Sequence, residues 1–303
     1  MLVEVADKSL HAEVRRLVPA AARQAALREE LGWSLRVAAQ DLAYARDYQA
    51  RQPQSGAPAE RYLDRWLPAD EDLCALLGPR YRALDPNRPF VAIVATGRAV
   101  TADDLPALCD LAREQFSDFR PGYVCLWTAD PPGAWEHTSN DSRLLACPLG
   151  SLRARHPPSE LSLRPATDLR HYDAYLGLYA KHRERDPAHA FYARPRTREE
   201  FAALVKAGSL WTVELADEPA GVLAAQDGVA RGVRGACVNE LVLDPAHCGQ
   251  GYGPHLSVLL AHHLPHPDNQ FLFGTIHAGN TPAYLAARRA GRTDIGGEVI
   301  ATL

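Results

Sequence analysis

One stretch of the chain combines a carboxylate set in an apolar run with a closely spaced group of glycines: Val238-Asn-Glu-Leu-Val-Leu-Asp-Pro-Ala-His-Cys-Gly-Gln-Gly-Tyr-Gly253. The apolar residues before Asp244 predict a strand. Leu256, Leu259, Leu260 and Leu264 predict a helix directly after the glycines. A strand that enters a helix through glycines presents backbone N–H groups and the positive end of the helix dipole to an anion, at close range because no Cβ intervenes. A diphosphate suits such a cradle. A P-loop would need a lysine here, and none is present. A Rossmann fingerprint would need glycine where Pro254 stands. The bland alternative is a tight strand-to-helix turn with no ligand.

Glu240 is the candidate general base. Strand alternation puts it on the face of Val238 and Val242, opposite Leu241 and Leu243. Partial burial there would raise its pKa toward the working range, although a solvated or salt-bridged strand glutamate fits the pattern equally. His277 closes the apolar run FLFGTIH and reads first as a structural histidine. His262, His263 and His266 suggest zinc, but Pro265 interrupts them and no fourth ligand lies near, so no metal is expected.

These residues need a scaffold, and the second half of the chain supplies a regular alternation. LSLRPAT predicts a strand, and the next helix has Tyr172, Leu176 and Tyr179 on one side. Thr197-Arg-Glu-Glu200 is a capping box opening a helix through Phe201 and Leu204. SLWTVEL and AGVLAAQ predict a strand pair joined by Asp217, Glu218 and Pro219. After the glycine turn come the helix, the strand FLFGTIH, a helix from Pro282 and a final extended segment, giving the order β-α-α-β-β-β-α-β-α-β. This is an α/β (α+β) arrangement on a mixed sheet.

In the first half, Leu2 to Val5 predicts a strand and Pro19 ends a short helix. Leu31, Leu35, Ala38, Leu42 and Ala45 lie on one face of a longer helix closed by Gln-Pro-Gln-Ser-Gly-Ala-Pro. FVAIVAT and GYVCLWT predict strands either side of a helix that opens with Asp103 and Asp104 and carries Leu105, Leu108, Cys109, Ala112 and Phe116 on one face. Breakers in LGSLRARHPPSE mark a boundary near residues 149 to 160, dividing the chain into domains at 1–150 and 160–303.

The glycine segment resembles motif A of the GNAT N-acetyltransferase superfamily, Gln/Arg-x-x-Gly-x-Gly/Ala after a strand ending in apolar-Asp-Pro. Gly279-Asn280-Thr281-Pro282-Ala283 resembles that family's second signature. The resemblance spans residues 160–303 and implies a GNAT-like acyl-CoA N-acyltransferase fold with acetyl-CoA, or a related acyl-CoA, as cosubstrate. It implies that Leu241, Val242 and Leu243 pair with the pantetheine arm. Gly249, Gln250, Gly251, Tyr252 and Gly253 would hold the diphosphate by their amides, and Asn280 would reach the cofactor. The family splays two neighbouring strands, here VNELVL and FLFGTIH, and commonly uses a strand glutamate as base, which Glu240 matches. The chain departs from the pattern at Cys248, at Arg292 and at Ala287, where many members have a catalytic tyrosine. Tyr284, one helical turn earlier, is the candidate donor to the leaving thiolate, against a plain packing role. The segment Arg183 to Arg196 is expected to border a small-molecule or peptide amine acceptor. The strand–helix–strand unit of residues 1–150 suggests a degenerate GNAT-like domain, so the whole reads as a tandem protein. An acyl-CoA-binding sensor or scaffold without catalysis is the alternative reading.

Bulk properties agree with an enzyme of the cytoplasm. The 303 residues are 47% hydrophobic and 23% charged, with a formal net charge of −4, which gives no global basic field to draw nucleic acid or a membrane surface. Six scattered cysteines without a Cys-x-x-Cys pair read as free thiols, and no run is long and apolar enough for a bilayer. The first residues lack the basic-then-apolar pattern of a signal peptide.

Overall fold

Apolar periodicity and turn chemistry together set most of the elements of this protein, whose computed structural model describes residues 1–51 and 56–303; residues 52–55, inside the Gln-Pro-Gln-Ser-Gly-Ala-Pro stretch, lie outside the described residues. The chain forms two compact units. The first comprises Met1–Ser142, Val229–Val233 and Ile295–Leu303; the second comprises Arg143–Gly228 and Arg234–Asp294. These differ from a division at 149–160. That segment carries helix α6 (Leu149–Arg153), after α1 to α5 of the first unit, and its Leu149 and Leu152 are fully buried in the second unit's core despite the breakers around them.

In the first unit, helices α1 (Leu2–Lys8), α2 (Ala12–Leu17), α3 (Ala20–Trp33) and α4 (Leu42–Arg51) precede strands β1 (Arg65–Pro68), β2 (Cys74–Tyr81) and β3 (Pro89–Thr96). Helix α5 (Leu105–Gln115) and β4 (Tyr123–Thr128) follow, and β11 (Thr293–Thr302) returns from the end of the chain. The strand order is β1-β2-β3-β4-β11. β3 and β4 run parallel, and the other neighbours are antiparallel. Leu105, Leu108, Cys109 and Ala112 of α5 and the following Phe116 bury against Leu77, Val91 and Val124, as the sequence pattern required. The predicted strand at Leu2 to Val5 is instead helix α1. Asp7, on its last turn, binds Arg23 of α3 at 2.8 Å, a tertiary pairing that overrides the β-branched composition. The single long helix predicted through Leu31 and Ala45 is broken. A π-helical turn covers Ser34–Ala38, and Asp41 Oδ1 accepts from Ala43 N to start α4 afresh, leaving Leu42 exposed.

The second unit holds part of β5 (Thr138–Pro148), then β6 (Leu161–Pro165), α7 (Tyr172–Arg185), α8 (His189–Tyr192), α9 (Arg198–Lys206), β7 (Leu210–Leu215), β8 (Glu218–Ala230), β9 (Val233–Leu243), α10 (Gly253–His263), β10 (Phe271–His277) and α11 (Thr281–Arg289). Its strands are ordered β5-β10-β9-β8-β7-β6. The expected mixed-sheet α/β class is met; the element order from β6 onward follows the prediction except for the added helix α8, and the closing strand β11 falls mostly to the first unit. Thr197 and Glu200 form the reciprocal capping box that opens α9. The β7–β8 turn lies at Ala216 and Asp217, both left-handed, while Glu218 and Pro219 already belong to β8. Tyr175 rather than Leu176 occupies the buried face of α7; Leu176 is 36% exposed.

β9 and β10 touch closely where they pair. A Cβ on Gly235 would lie 2.1 Å from the Phe271 carbonyl oxygen. Gly235→Ala is therefore expected to cost about 2 kcal/mol and lower the melting temperature by several degrees. Calorimetry that finds a shift below about 1 °C would refute this close-approach argument.

Candidate active site

Parallel strands β9 and β10 pair only from Gly235–Cys237 with Phe271–Phe273. Beyond that, Val238–Leu243 and Gly274–His277 remain strands without pairing to one another. Other groups take up two of the carbonyls released by this divergence. Arg196 Nη2 donates to Asn239 O at 2.7 Å, and Arg292 Nη2 donates to Gly274 O at 3.2 Å and to Leu145 O at 2.8 Å. Arg292 is 3% exposed, and burial lowers its pKa to about 10. The sequence marks Arg292 as a departure from the family pattern, and the structure makes it the brace of the opening.

Glu240 lies on β9 and is 7% exposed; Val242 packs with the tyrosines that hold it, whereas Val238, expected on the same face, packs with Leu241 and Leu243 against the other core. Its Oε2 accepts from the Tyr175 hydroxyl at 2.6 Å. Its Oε1 accepts from Tyr179 at 2.8 Å and from the Leu241 amide at 3.1 Å. Burial pushes the carboxyl pKa above its ordinary value, and the two tyrosine hydrogen bonds and the Arg196 charge oppose that rise. The same burial, with the adjacent carboxylate, holds both phenols well above their usual range. Tyr175 also accepts from Arg196 N at 2.7 Å, so the carboxylate gathers α7, the segment before α9 and β9 at one point. Val242 packs beside it among Tyr172, Tyr175, Phe201 and Leu204. Leu243 turns to the opposite core, with Leu241 half-buried against it.

The glycine turn follows. Gly249 and Gly251 have φ of +84° and +91°, conformations that favour glycine, and a Cβ on either would meet nothing within 4 Å. The amides of Gly251, Tyr252 and Gly253 have no intramolecular acceptor among the described residues. They sit at the start of α10, where the helix dipole is positive, so backbone and open space fit a diphosphate. Gln250 contributes only its main chain, since its Nε2 donates to Ala246 O at 2.7 Å. Cys248 directs its thiol toward Asp244 O at 3.6 Å. α7 fixes the approach to this turn: Lys181 pairs with Asp244 at 2.6 Å, His182 Nε2 contacts Leu243 O at 2.8 Å and Arg185 donates to Pro245 O at 3.1 Å.

The remaining sequence candidates separate. Asn280 caps α11, accepting from Ala283 N at 3.2 Å. Ala287 is buried. Tyr284 donates to Asp294 at 3.0 Å, and Asp294 is held by Arg143 at 2.9 Å; burial and that carboxylate raise the phenol's pKa. His262, His263 and His266 each have their own partner, respectively Arg155 O, Leu259 O and Asp227, and share no ligand geometry. His277 stacks on Tyr192 at 5.6 Å. Tyr192 meets His189 edge-on, and His189 stacks on His182 at 4.8 Å, a ladder of rings beside the opening. Tyr175 was missed in the sequence, and Arg196 and His189 fell inside the Arg183 to Arg196 segment without roles of their own. The available signal was the Tyr175, Tyr179 spacing, because a buried carboxylate needs donors and two hydroxyls on one helix face supply them.

No protein-family model and no curated protein match the sequence. Among solved structures the chain is similar to a GCN5-related N-acetyltransferase from Kribbella flavida at 15% identity, over 85% of this chain and 94% of that one, with a TM-score of 0.48. It is similar to a GNAT-family acetyltransferase from Colwellia psychrerythraea at 11% identity, over 76% and 85%, TM-score 0.48. It is also similar to a tandem GNAT protein from the clavulanic acid biosynthesis pathway at 13% identity, over 88% and 97%, TM-score 0.43.

The raised Glu240 pKa has a consequence for stability. The folded state holds this proton more tightly than the unfolded chain, so the contribution is fully present below the ordinary carboxylate pKa and is lost as pH rises through the folded value. Glu240→Gln is expected to flatten stability between pH 4.5 and neutrality relative to the parent. Urea titrations across that window that give parallel curves for the two proteins would contradict the assignment.

Proposed function

We propose that this chain is an acyl-CoA-dependent N-acetyltransferase that moves an acetyl group from acetyl-CoA to a primary amine within a ternary complex. The observation that carries this reading is the opened β9–β10 pair leading into a glycine turn with unclaimed amides at the start of α10. The amides of Gly249 through Gly253 hold the diphosphate. The strand edge at Leu241, Val242 and Leu243, with the Leu241 amide on Glu240 and the Leu243 carbonyl on His182, lies alongside the pantetheine arm. Asn280 starts the helix beside the cofactor's thiol end.

Transfer requires a neutral amine, a stabilised oxyanion and a protonated thiolate. Glu240 serves as base. An ionised carboxylate offers about four acceptor positions, and Tyr175, Tyr179 and the Leu241 amide occupy three of them. The position left on Oε2 accepts a water that relays the ammonium proton. The amine nitrogen then attacks the thioester carbonyl carbon. The attacking nitrogen gives up its second proton to solvent, collapse of the tetrahedral intermediate breaks the C–S bond, and the leaving sulfur takes a proton. The Leu241 amide is already engaged by Glu240, so the oxyanion falls to an amide further along the strand. Tyr284 remains the candidate proton donor, acting after its hydroxyl turns from Asp294. Acceptor recognition falls to the Arg183 to Arg196 segment, with Tyr192 and His277 stacked at its edge.

Two features favour a second reading, an acyl-CoA-binding sensor without turnover: the buried methyl of Ala287 and the tyrosine clamp on Glu240. Calorimetry with acetyl-CoA should show binding that Gly251→Val weakens at least tenfold, since valine strains a φ of +91°. A parent protein that binds no acetyl-CoA would overturn both readings. With a turned-over amine, kcat/KM should fall on acidification with an apparent pKa above 4.5, and Tyr179→Phe should move that limb upward by removing a donor to the carboxylate. Glu240→Gln should cut kcat about 100-fold, and Tyr284→Phe should lower kcat about tenfold with KM unchanged. Acetyl-CoA binding without thiol release on any amine of a broad panel leaves the sensor.

A further inference from the structure

The first unit contains a second opening between parallel strands that the proposed reaction does not use. β3 and β4 pair only from Val91–Ile93 with Val124–Leu126, yet the strands continue to Thr96 and Thr128. Their outer edges stay paired over the rest. Ala95 and Thr96 lie opposite Leu76 and Ala75 of β2, and Trp127 and Thr128 lie opposite Glu298 and Gly297 of β11. The edges that face each other open onto a cavity of about 520 Å³, within the range of small-molecule sites, roughly 300–1,000 Å³. Apolar walls come from Val5, Leu27, Leu31, Ile93 and Leu126. Helix α1 is fixed beside the cavity by Asp7–Arg23, while Arg23 also donates to Val18 O at 2.7 Å.

The charge lining is one-sided. Lys8, Arg15 and Arg231 face a single carboxylate, Asp130, whose Oδ2 already accepts from Trp135 Nε1 at 2.7 Å and Thr128 Oγ1 at 3.0 Å. Arg231 lies over the Trp127 ring at 4.5 Å and pairs with Glu30 at 3.5 Å. Lys8 and Arg15 have no carboxylate partner among the described residues. The turn after β3 is not a diphosphate cradle. The Gly97 amide donates to Cys74 O at 2.8 Å, and Arg98 is held by Asp72 and Asp104. Asp104, capped with Thr101, puts negative charge at the start of α5.

We propose that this cavity binds a small amide-bearing carboxylate of the N-acyl amino acid class. Its amide pairs with the bare edges of β3 and β4, its acyl chain lies against Leu27, Leu31 and Leu126, and its carboxylate reaches Lys8 and Arg15. Each recognition element answers one feature of the cavity: unpaired backbone, apolar wall and cationic rim.

N-octanoylglycine is the probe, titrated into the full chain by calorimetry with Trp127 and Trp135 emission as a second readout. Binding with a Kd below about 100 μM is expected, with at least tenfold weaker binding of both the uncharged octanoylglycinamide and the amide-free decanoate. The surface exchange Lys8→Glu with Arg15→Glu should weaken the acid tenfold or more and leave the neutral amide unchanged. Ala6→Trp, which fills the cavity, should abolish binding while acetyl-CoA binding persists. No heat at 1 mM probe, equal binding of acid and neutral amide, an unaffected charge-exchanged variant, or displacement of the probe by acetyl-CoA would each overturn the proposal.

Discussion

Two parallel strands that stop pairing while both continue are the constraint on which the second unit depends. Past the last rung, every second residue of each strand leaves its N–H and C=O without their ladder partners, and leaving such a group buried and unsatisfied costs about 1–3 kcal/mol. At the β9–β10 opening the chain answers with two arginines. Arg196 takes the Asn239 carbonyl and Arg292 takes that of Gly274. Arg292 is almost fully buried, without a carboxylate partner among the described residues, and that burial lowers its pKa. The opening is thus a braced feature, and the bare backbone that remains is directed at whatever enters it.

Glu240 is tied to the same constraint. Its carboxylate is buried beside the opening and accepts from three donors, of which two are tyrosines on α7. This arrangement does structural work by pinning α7 and the segment before α9 to β9, and chemical work by keeping a carboxylate at an elevated pKa with one acceptor position unfilled. The roles do not compete. The donors that stabilise the anion also fix its position.

The sequence made the strand, the glycine turn and the helix start legible because each rests on local chemistry: alternation, left-handed φ at Gly249 and Gly251, and apolar spacing in α10. The same held for the capping box at Thr197. What stayed hidden was decided by partners distant in sequence. Leu176 is more apolar than Tyr175, yet Tyr175 is buried because its hydroxyl meets Glu240, 65 positions away. Val3 and Val5 favour a strand, yet Asp7 reaches Arg23 only if Leu2–Lys8 is helical. Arg292 looked like a defect in a familiar pattern, and its role depends on Leu145, which no local rule connects to it. The segment at 149–160 contains the breakers of a linker, yet Leu149 and Leu152 carry it into a core.

Each unit contains a parallel pair that separates after a short ladder, so the separation alone does not specify a ligand. The turn that follows makes the distinction. After β9, glycines and a helix start without acidic residues in its first turn leave main-chain donors facing open space. After β3, Gly97 spends its amide on Cys74, Arg98 is held by two aspartates, and Asp104 puts a carboxylate at the start of α5. Replacing donors by carboxylates at a helix start reverses the sign of the field there. The same backbone opening is therefore followed by main-chain donors in one unit and by a carboxylate in the other. In the first unit the positive charge has moved to Lys8 and Arg15, near the helices that wall the cavity. An opening of this kind fixes the shape of what can enter, and the few residues after the strand fix its charge.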